Sequence, residues 1–480
     1  MTERNSFASE REQVMANMNS RLGTWSNIGV SALVLSAFLI TSSALRADGQ
    51  DKTKPVTFSK DIAPILQEKC QDCHRPGQIA PMSLLTYQDA RPWARDIKMR
   101  VLQHSMPPWF LDKTVGIQHF ANDLSLSDEQ IATIVKWVDA GAPQGDPKDM
   151  PPAKVWPADD GWKLAKVFGR QPDLVLNGPD YTMKANYQDQ WDRPISDVSV
   201  TEPRWVRAVE MRPSNPEARK VFHHILASLY QDETNAPSAQ VPVAKEAVFP
   251  GTGGLLMEWA VGKNYDIYRQ DAGKLLMPGA KIRWEYHTHS TDHDVTGHAQ
   301  LAVYLYPKGE TPKYRTYLAL LGTGRRGPDG LPVLDIPPNS IEESEGFHVL
   351  KAPARLENFQ PHMHLRGKAM SMDAILPDGT TQTLSYVGNF TFNWMTNYIY
   401  ADDAAPVLPK GTVIHIKAWH DNTNENRNNP NPNEWVGYGD RTVDEMAHAW
   451  VNVTYMSDDD YKEWAAEHKQ GHGEGGEALR

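Results

Sequence analysis

Cysteine is nearly absent from this chain of 480 residues: Cys70 and Cys73 are the only two. No disulfide framework can staple the rest, which must be held by its hydrophobic cores. A basic excess is missing too. The formal charge is −11 and the pI about 5.9, which argues against a nucleic-acid partner, since such proteins carry a basic face. No strict internal repeat is visible, and no βαβ pattern. Apolar residues are not scarce. At 40% hydrophobic, with 15 tryptophans and 17 tyrosines, the composition is that of a globular protein, and the length implies two to four domains. Abundant proline (35) and glycine (33) suit many turns and short strands.

Long apolar runs are also lacking, with one exception. Ile28–Leu45 follows Arg4, Arg11 and Arg21 and precedes the small residues of "TSSALRADG". This is the pattern of an export signal, and its length is close to the ~18 residues that span a bilayer. Residues 1–48 are therefore read as a signal peptide or membrane anchor. Either places the chain beyond Ala47 in the periplasm or on the outer face of a bacterial cytoplasmic membrane.

The remainder changes period once. Residues 53–148 read as helical, from "TFSKDIAPILQEKC" to "SLSDEQIATIVKWVDAGAP". In the latter, Ser127 and Gln130 form a capping box, Ile131, Ile134, Val135 and Val138 keep helical spacing, and Gly141 sits where a C-terminal cap belongs. A Pro- and Asp-rich linker covers 149–170. Strand-like alternation follows, in "IRWEYHTH" and "HAQLAVYLYP" and later in "TVIHIKAWHD" and "HAWVNVTYM". Asp378-Gly379 marks a hairpin turn. Asp421–Glu434 is a long polar loop. Two all-β modules are expected, at 171–318 and 319–457, with a polar tail at 458–480.

Both cysteines fall in "CQDCH", Cys70–His74. C-x-x-C-H is the pattern of covalent haem attachment: the thiols add to the vinyl groups and His74 is placed to bind the iron. A redox dithiol would not need the histidine, and a zinc site would need two further ligands at matching spacing. For the sixth iron position, Met82, Met99, Met106 and His104 are candidates, and Met106 in "HSMPPW" is preferred because Pro107 and Pro108 stiffen the loop presenting it. The segment resembles a small class I cytochrome c, where a Met-Pro pair often does this.

Three histidine clusters lie in the β region: His223–His224, His287 with His289, and His362 with His364. On a strand, His-x-His places two imidazoles on one face. Adjacent histidines point to opposite faces of a regular strand, so His223 and His224 would need a local distortion, or the use of opposite ring nitrogens, to share a metal. Imidazole without thiolate suits copper or zinc, and a thioether favours copper. That draws attention to Met446 in "TVDEMAHAWVNVTY".

"VFHHI", "WEYHTHS", "FQPHMHLRGK" and "TVDEMAHAWVNVTY" stand in the order and approximate spacing of the type II copper monooxygenases, which include peptidylglycine α-hydroxylating and dopamine β-monooxygenase. The resemblance covers about Asp173 to Met456. It implies two β-sandwiches side by side, jelly-roll-like, each holding one copper across a water-filled cleft. It implies one copper on His223, His224 and His287, with His287 preferred to His289, and a catalytic copper on His362, His364 and Met446. The chain departs from the family in lacking its disulfides and in carrying Gln360 where the peptide enzyme has a substrate-binding arginine. His448 and Trp450 occupy positions that contact peptide in that enzyme, which makes a peptide substrate a poor fit. The fold expected is thus multidomain: an N-terminal all-α cytochrome c-like unit and two all-β sandwiches. The function expected is hydroxylation of a C–H bond of a small organic substrate with O2, fed with electrons through haem c from an external donor such as a membrane or periplasmic redox protein. A non-catalytic electron-transfer or scaffold subunit of a membrane-associated complex is the alternative. His415 and His420 are candidates for orienting the ligands.

Overall fold

The computed structural model describes residues 55–156, 161–249, 254–323 and 333–471. The expected signal or anchor, 1–48, lies outside them. Helices come first and several β-sheets follow.

Three helices of seven residues or more build the first unit: α1 (Ala63–Lys69), α2 (Ala94–Leu102) and α3 (Asp128–Asp139). The Ser127 hydroxyl accepts the Gln130 N–H at 3.2 Å and Gln130 Oε1 accepts the Ser127 N–H at 3.0 Å, so the expected capping box starts α3. Gly141 ends it at φ +87°, a left-handed conformation that costs glycine nothing. The stripe on α3 is deeper than its aliphatics suggest: Ile134 and Trp137 are fully buried, against Phe58, Ile62 and Leu66.

One stretch leaves this unit. Trp109, Leu111 and Phe120 belong to the core of the second β module, where Trp109 meets the Tyr398 ring edge-on at 4.8 Å and Phe120 stacks on Tyr400 at 5.3 Å. Asp112 and Ile117 donate backbone N–H groups to Tyr386 and Leu384 at 2.8 and 2.9 Å. The segment thereby covers a strand, Thr381–Val387, that would otherwise leave its edge open. The expected linker at 149–170 also does more than connect. Lys163–Phe168 is a helix whose first N–H groups, Lys163 and Leu164, are accepted by Glu210 at 2.9 and 2.8 Å, and Leu164 packs on Ala208, Ala302 and Tyr304.

Seven strands position the site: β1 (Phe222–Tyr230), β2 (Leu255–Ala260), β3 (Lys281–Thr288), β4 (Tyr314–Gly322), β5 (Asn358–Met363), β6 (Val413–Asp421) and β7 (Ala447–Tyr455). In the first module β3 pairs with β1, and β1 with β2, all antiparallel. Strict alternation sends Ile282, Trp284 and Tyr286 of β3 into the core and leaves Arg283, Glu285 and His287 on the other face. In the second module β7 pairs with β5 and with β4. Residue 318, expected as the end of the first sandwich, falls inside β4. That strand runs parallel to Ala272–Leu276 of the first module and antiparallel to β7 of the second, joining the two in one sheet. The hairpin at Asp378-Gly379 forms, with Gly379 at φ +87°. The tail expected at 458–480 is a helix over Asp458–Gly471, and the remainder lies outside the described residues.

Candidate metal centre

Of the two routes by which His223 and His224 could share a metal, the local distortion is present. Along the β1–β3 ladder His287 pairs with His224 and the next residue, Thr288, pairs with Phe222, so His223 is the extra residue of a β-bulge. The bulge turns His223 to the same side as its neighbour. His224 Nδ1 then lies 3.4 Å from His223 Nδ1 and 3.3 Å from His287 Nδ1. Three ligand nitrogens within 4.8 Å of one another form a group that could hold a metal ion. His289 stays exposed, with its ring 6.4 Å from that of His223. Burial depresses His223 to about 3 and His224 well below its ordinary value, so both are neutral with lone pairs available. Trp191 stacks on His287 at 4.3 Å, and Asp189 Oδ2 lies 3.2 Å from His287 Nε2, holding the ring from behind.

The second cluster is set by β5 and β7. His362 pairs directly with His448, so the two share one face of the ladder. His364 is the residue after β5 and the half-buried Met446 the residue before β7, both one step beyond the paired positions. His362 and His448 stack at 4.7 Å, and the His362 and His364 rings are 5.6 Å apart. His362 Nδ1 and His448 Nε2 are buried and have no hydrogen-bond partner. Behind this face, Glu445 accepts the N–H groups of His364 and Arg366 at 2.9 and 2.6 Å. Burial raises Glu445 to about 8. Arg366 donates to Asn422 Oδ1 at 2.9 Å and to the Val443 carbonyl at 2.9 Å, which makes the polar loop a fixed brace. His420 Nε2 lies 3.2 Å from the Met446 carbonyl and thus holds that strand entry. His415, the other candidate for such a role, instead pairs with Glu345 at 2.7 Å away from the cluster.

The two clusters touch. The His224 and His362 rings meet edge to face at 6.0 Å, and Phe392 stacks on His223 at 4.5 Å while lying 5.9 Å from His364. The family resemblance implies a water-filled cleft between the centres; here direct ring contact takes that place. Gln360 is engaged as well, donating to Glu258 Oε2 across the junction at 2.6 Å.

The CQDCH residues border a cavity of about 690 Å³, a size usual for small-molecule and cofactor sites. Cys70, Cys73, His74 and Met106 line it, and so does His223. Of the four candidates for the sixth position, only Met106 lines this cavity; Met99 is exposed. His74 Nδ1 lies 3.3 Å from the Met82 carbonyl, which leaves Nε2 free. Burial pushes the Cys70 thiol up to about 12 and raises Cys73 as well, the reverse of what a redox dithiol needs.

No protein-family model matches the chain, and no curated protein matches it. Among solved structures it is similar to the major capsid protein P2 of bacteriophage PM2, with 10% identity over 58% of this chain and 98% of that one, at a TM-score of 0.22. It is similar also to the VP2 subviral particle of infectious bursal disease virus, with 9% identity over 60% of this chain and 73% of that one, at a TM-score of 0.17. At such scores the likeness carries no argument about fold or function.

Several contributors escape sequence reasoning. Asp189 and Phe392 sit outside regular strands, and Glu445 and Arg366 act through backbone groups that leave no side-chain pattern. His448 and Trp450 were singled out only through the resemblance, and Trp450 meets His448 edge-on at 5.0 Å. Of the other tryptophans, Trp205 is core, whereas Trp191 faces the first cluster and Trp394 the cavity.

The buried imidazoles set an acid limit on the metal-free chain. His223 and His448 are depressed to about 3, and His364 and His420 to about 4, all mainly by burial. Unfolded, each has a pKa of about 6.5. Their contribution to stability is therefore full above about pH 6.5 and is lost as pH falls from there toward 3–4, because the unfolded chain binds the protons first. Between pH 7 and 5 each such histidine removes about 2 kcal/mol. Denaturant titration of chelator-treated protein at the two pH values checks this, and equal midpoints would show that these rings titrate normally.

Proposed function

We propose that the chain is an exported copper-dependent monooxygenase of the type II kind, with a haem c unit fused ahead of two copper-binding β-sandwiches. The observation that carries this reading is that histidines from the two β modules meet, His224 against His362, with the His223, His224 and His287 nitrogens converging on one side and the His362 and His364 rings 5.6 Å apart on the other. On this reading the helical unit is cytochrome c-like and the modules are the family's sandwiches. His223, His224 and His287 would hold one copper, and His362, His364 and Met446 the catalytic one. Cys70 and Cys73 would carry the haem, with His74 and Met106 as its axial ligands. When bound, the haem supplies one-electron storage and the coppers supply one-electron reduction of O2, for an overall reaction R–H + O2 + 2 e⁻ + 2 H⁺ → R–OH + H2O.

The chain's own groups have separable tasks. The Met82 carbonyl fixes the His74 ring, and Asp189 fixes His287. Glu445 ties the backbone at His364 to the strand entry that carries Met446. The thioether favours the reduced ion. Phe392, between His223 and His364, packs an apolar ring into the junction. His223 lines the same cavity as Cys70, Cys73 and His74, which supports electron entry beside the three-histidine group. The substrate is a small organic molecule, and the electrons come from a membrane or periplasmic redox protein.

Metal and haem analysis of the purified exported chain tests the reading. Two coppers and one haem per chain, with O2 uptake coupled to oxidation of a small organic compound, are expected. Haem without copper would favour the non-catalytic electron-transfer subunit, and copper without O2 uptake would favour storage or delivery.

A further inference from the structure

An imidazole that binds a metal through one nitrogen must keep its proton on the other, and whatever accepts that proton decides which nitrogen is free. At His287 the acceptor is Asp189 Oδ2, 3.2 Å from Nε2, so the bare lone pair is on Nδ1, the atom that faces His224 Nδ1 at 3.3 Å. The same carboxylate oxygen accepts a second hydrogen bond, from Thr442 Oγ1 at 3.0 Å. Thr442 belongs to the other module. It stands four residues before Met446, at the head of the turn whose Asp444 carbonyl lies 3.1 Å from His364 Nδ1 and whose Glu445 accepts the His364 N–H. A second thread runs alongside. Arg193 donates to Glu285 at 2.7 Å and to Asp440 at 3.2 Å, and Glu285 Oε1 lies 4.0 Å from His224 Nε2. Both threads start at a carboxylate beside a first-cluster histidine and end on the turn, Asp440–Glu445, that leads into Met446.

We propose that Asp189 is a positioning residue shared by both centres: it fixes His287 so that Nδ1 faces the first metal and, through Thr442, holds the turn that leads into Met446 and braces His364. This deepens the two-copper reading above and rests on it. Filling the first centre holds His287 still, and with it Asp189 and Thr442. The first ion therefore tightens the second site, and by reciprocity the second tightens the first. A carboxylate serving His287 alone would predict no such coupling.

The test uses the full haem-loaded chain and copper(I) against a competing chelator, with X-ray absorption reporting the copper–sulfur path of Met446. Asp189→Ala is expected to weaken the first centre ~10–100-fold, the usual cost of losing such a partner, and to weaken the sulfur signal too. Thr442→Val is the decisive variant. It keeps the Asp189–His287 pair and the side chain's shape. It should leave the first centre's intrinsic affinity unchanged while the second weakens ~5–150-fold, the range of typical site coupling. Thr442→Ser should restore it. Unchanged second-centre affinity and sulfur signal in Thr442→Val would overturn the proposal. If the parent chain binds no copper, the two-copper reading fails by itself. The positioning claim is then read from hydrogen exchange of residues 440–446 in metal-free protein. Faster exchange in Thr442→Val upholds it, and an unchanged rate overturns it.

Discussion

Replacing His362 and His364 together by alanine is expected to abolish O2-dependent product formation with the haem kept reduced, and to lower copper content from two ions to one. A metal acting on O2 would lower the barrier by several kcal/mol, so the loss should reach about 10³-fold or more. The fold should survive. His362 Nδ1 is a buried atom without a partner, so its removal relieves a desolvated polar group rather than orphaning one. Glu445 keeps both of its backbone donors, because residue 364 retains its N–H in alanine. The three-histidine group shares no ligand with the pair and should still bind its ion. Turnover at the parent rate in the double variant would refute the catalytic assignment.

The second large effect concerns the cysteines. Cys70→Ser combined with Cys73→Ser is expected to yield a chain from which all haem is extracted by acidified solvent, whereas the parent chain retains it through denaturation. Electron supply from a protein donor should fail with it, while chemically reduced copper still turns over once. Burial raises both thiols, which slows spontaneous thiol–disulfide exchange. Haem retained covalently in the double variant would remove the attachment assignment.

Some of this architecture could be read before any coordinates, for identifiable reasons. Local signals carried α3, because a capping box and a terminal glycine act within a few residues. Alternation carried β3, whose Trp284 and Tyr286 point one way and His287 the other. Adjacency in sequence also exposed the problem at His223–His224, though not its solution: a bulge is a property of pairing, and only the β1–β3 register reveals it. The boundary near 318 failed to mark a physical break for the same reason. β4 reads as an ordinary strand, and nothing in "YRTYLALLG" says that its two neighbours belong to different modules. Asp189 was invisible because a lone aspartate in a polar stretch is what a solvated loop looks like, and its importance comes from two partners 98 and 253 residues away. The ring contact between His224 and His362 was likewise out of reach, since it depends on how two sheets approach and not on either strand.

The excursion of residues 109–122 has a consequence for modularity. A helical unit strung on the chain as a separate bead could be removed by a simple cut near residue 150. Here such a cut would strip Trp109 and Phe120 from the aromatic nest around Tyr398 and Tyr400 and uncover the rim of a sheet. The helical unit and the second β module are therefore coupled in stability, and removing the one is expected to destabilise the other.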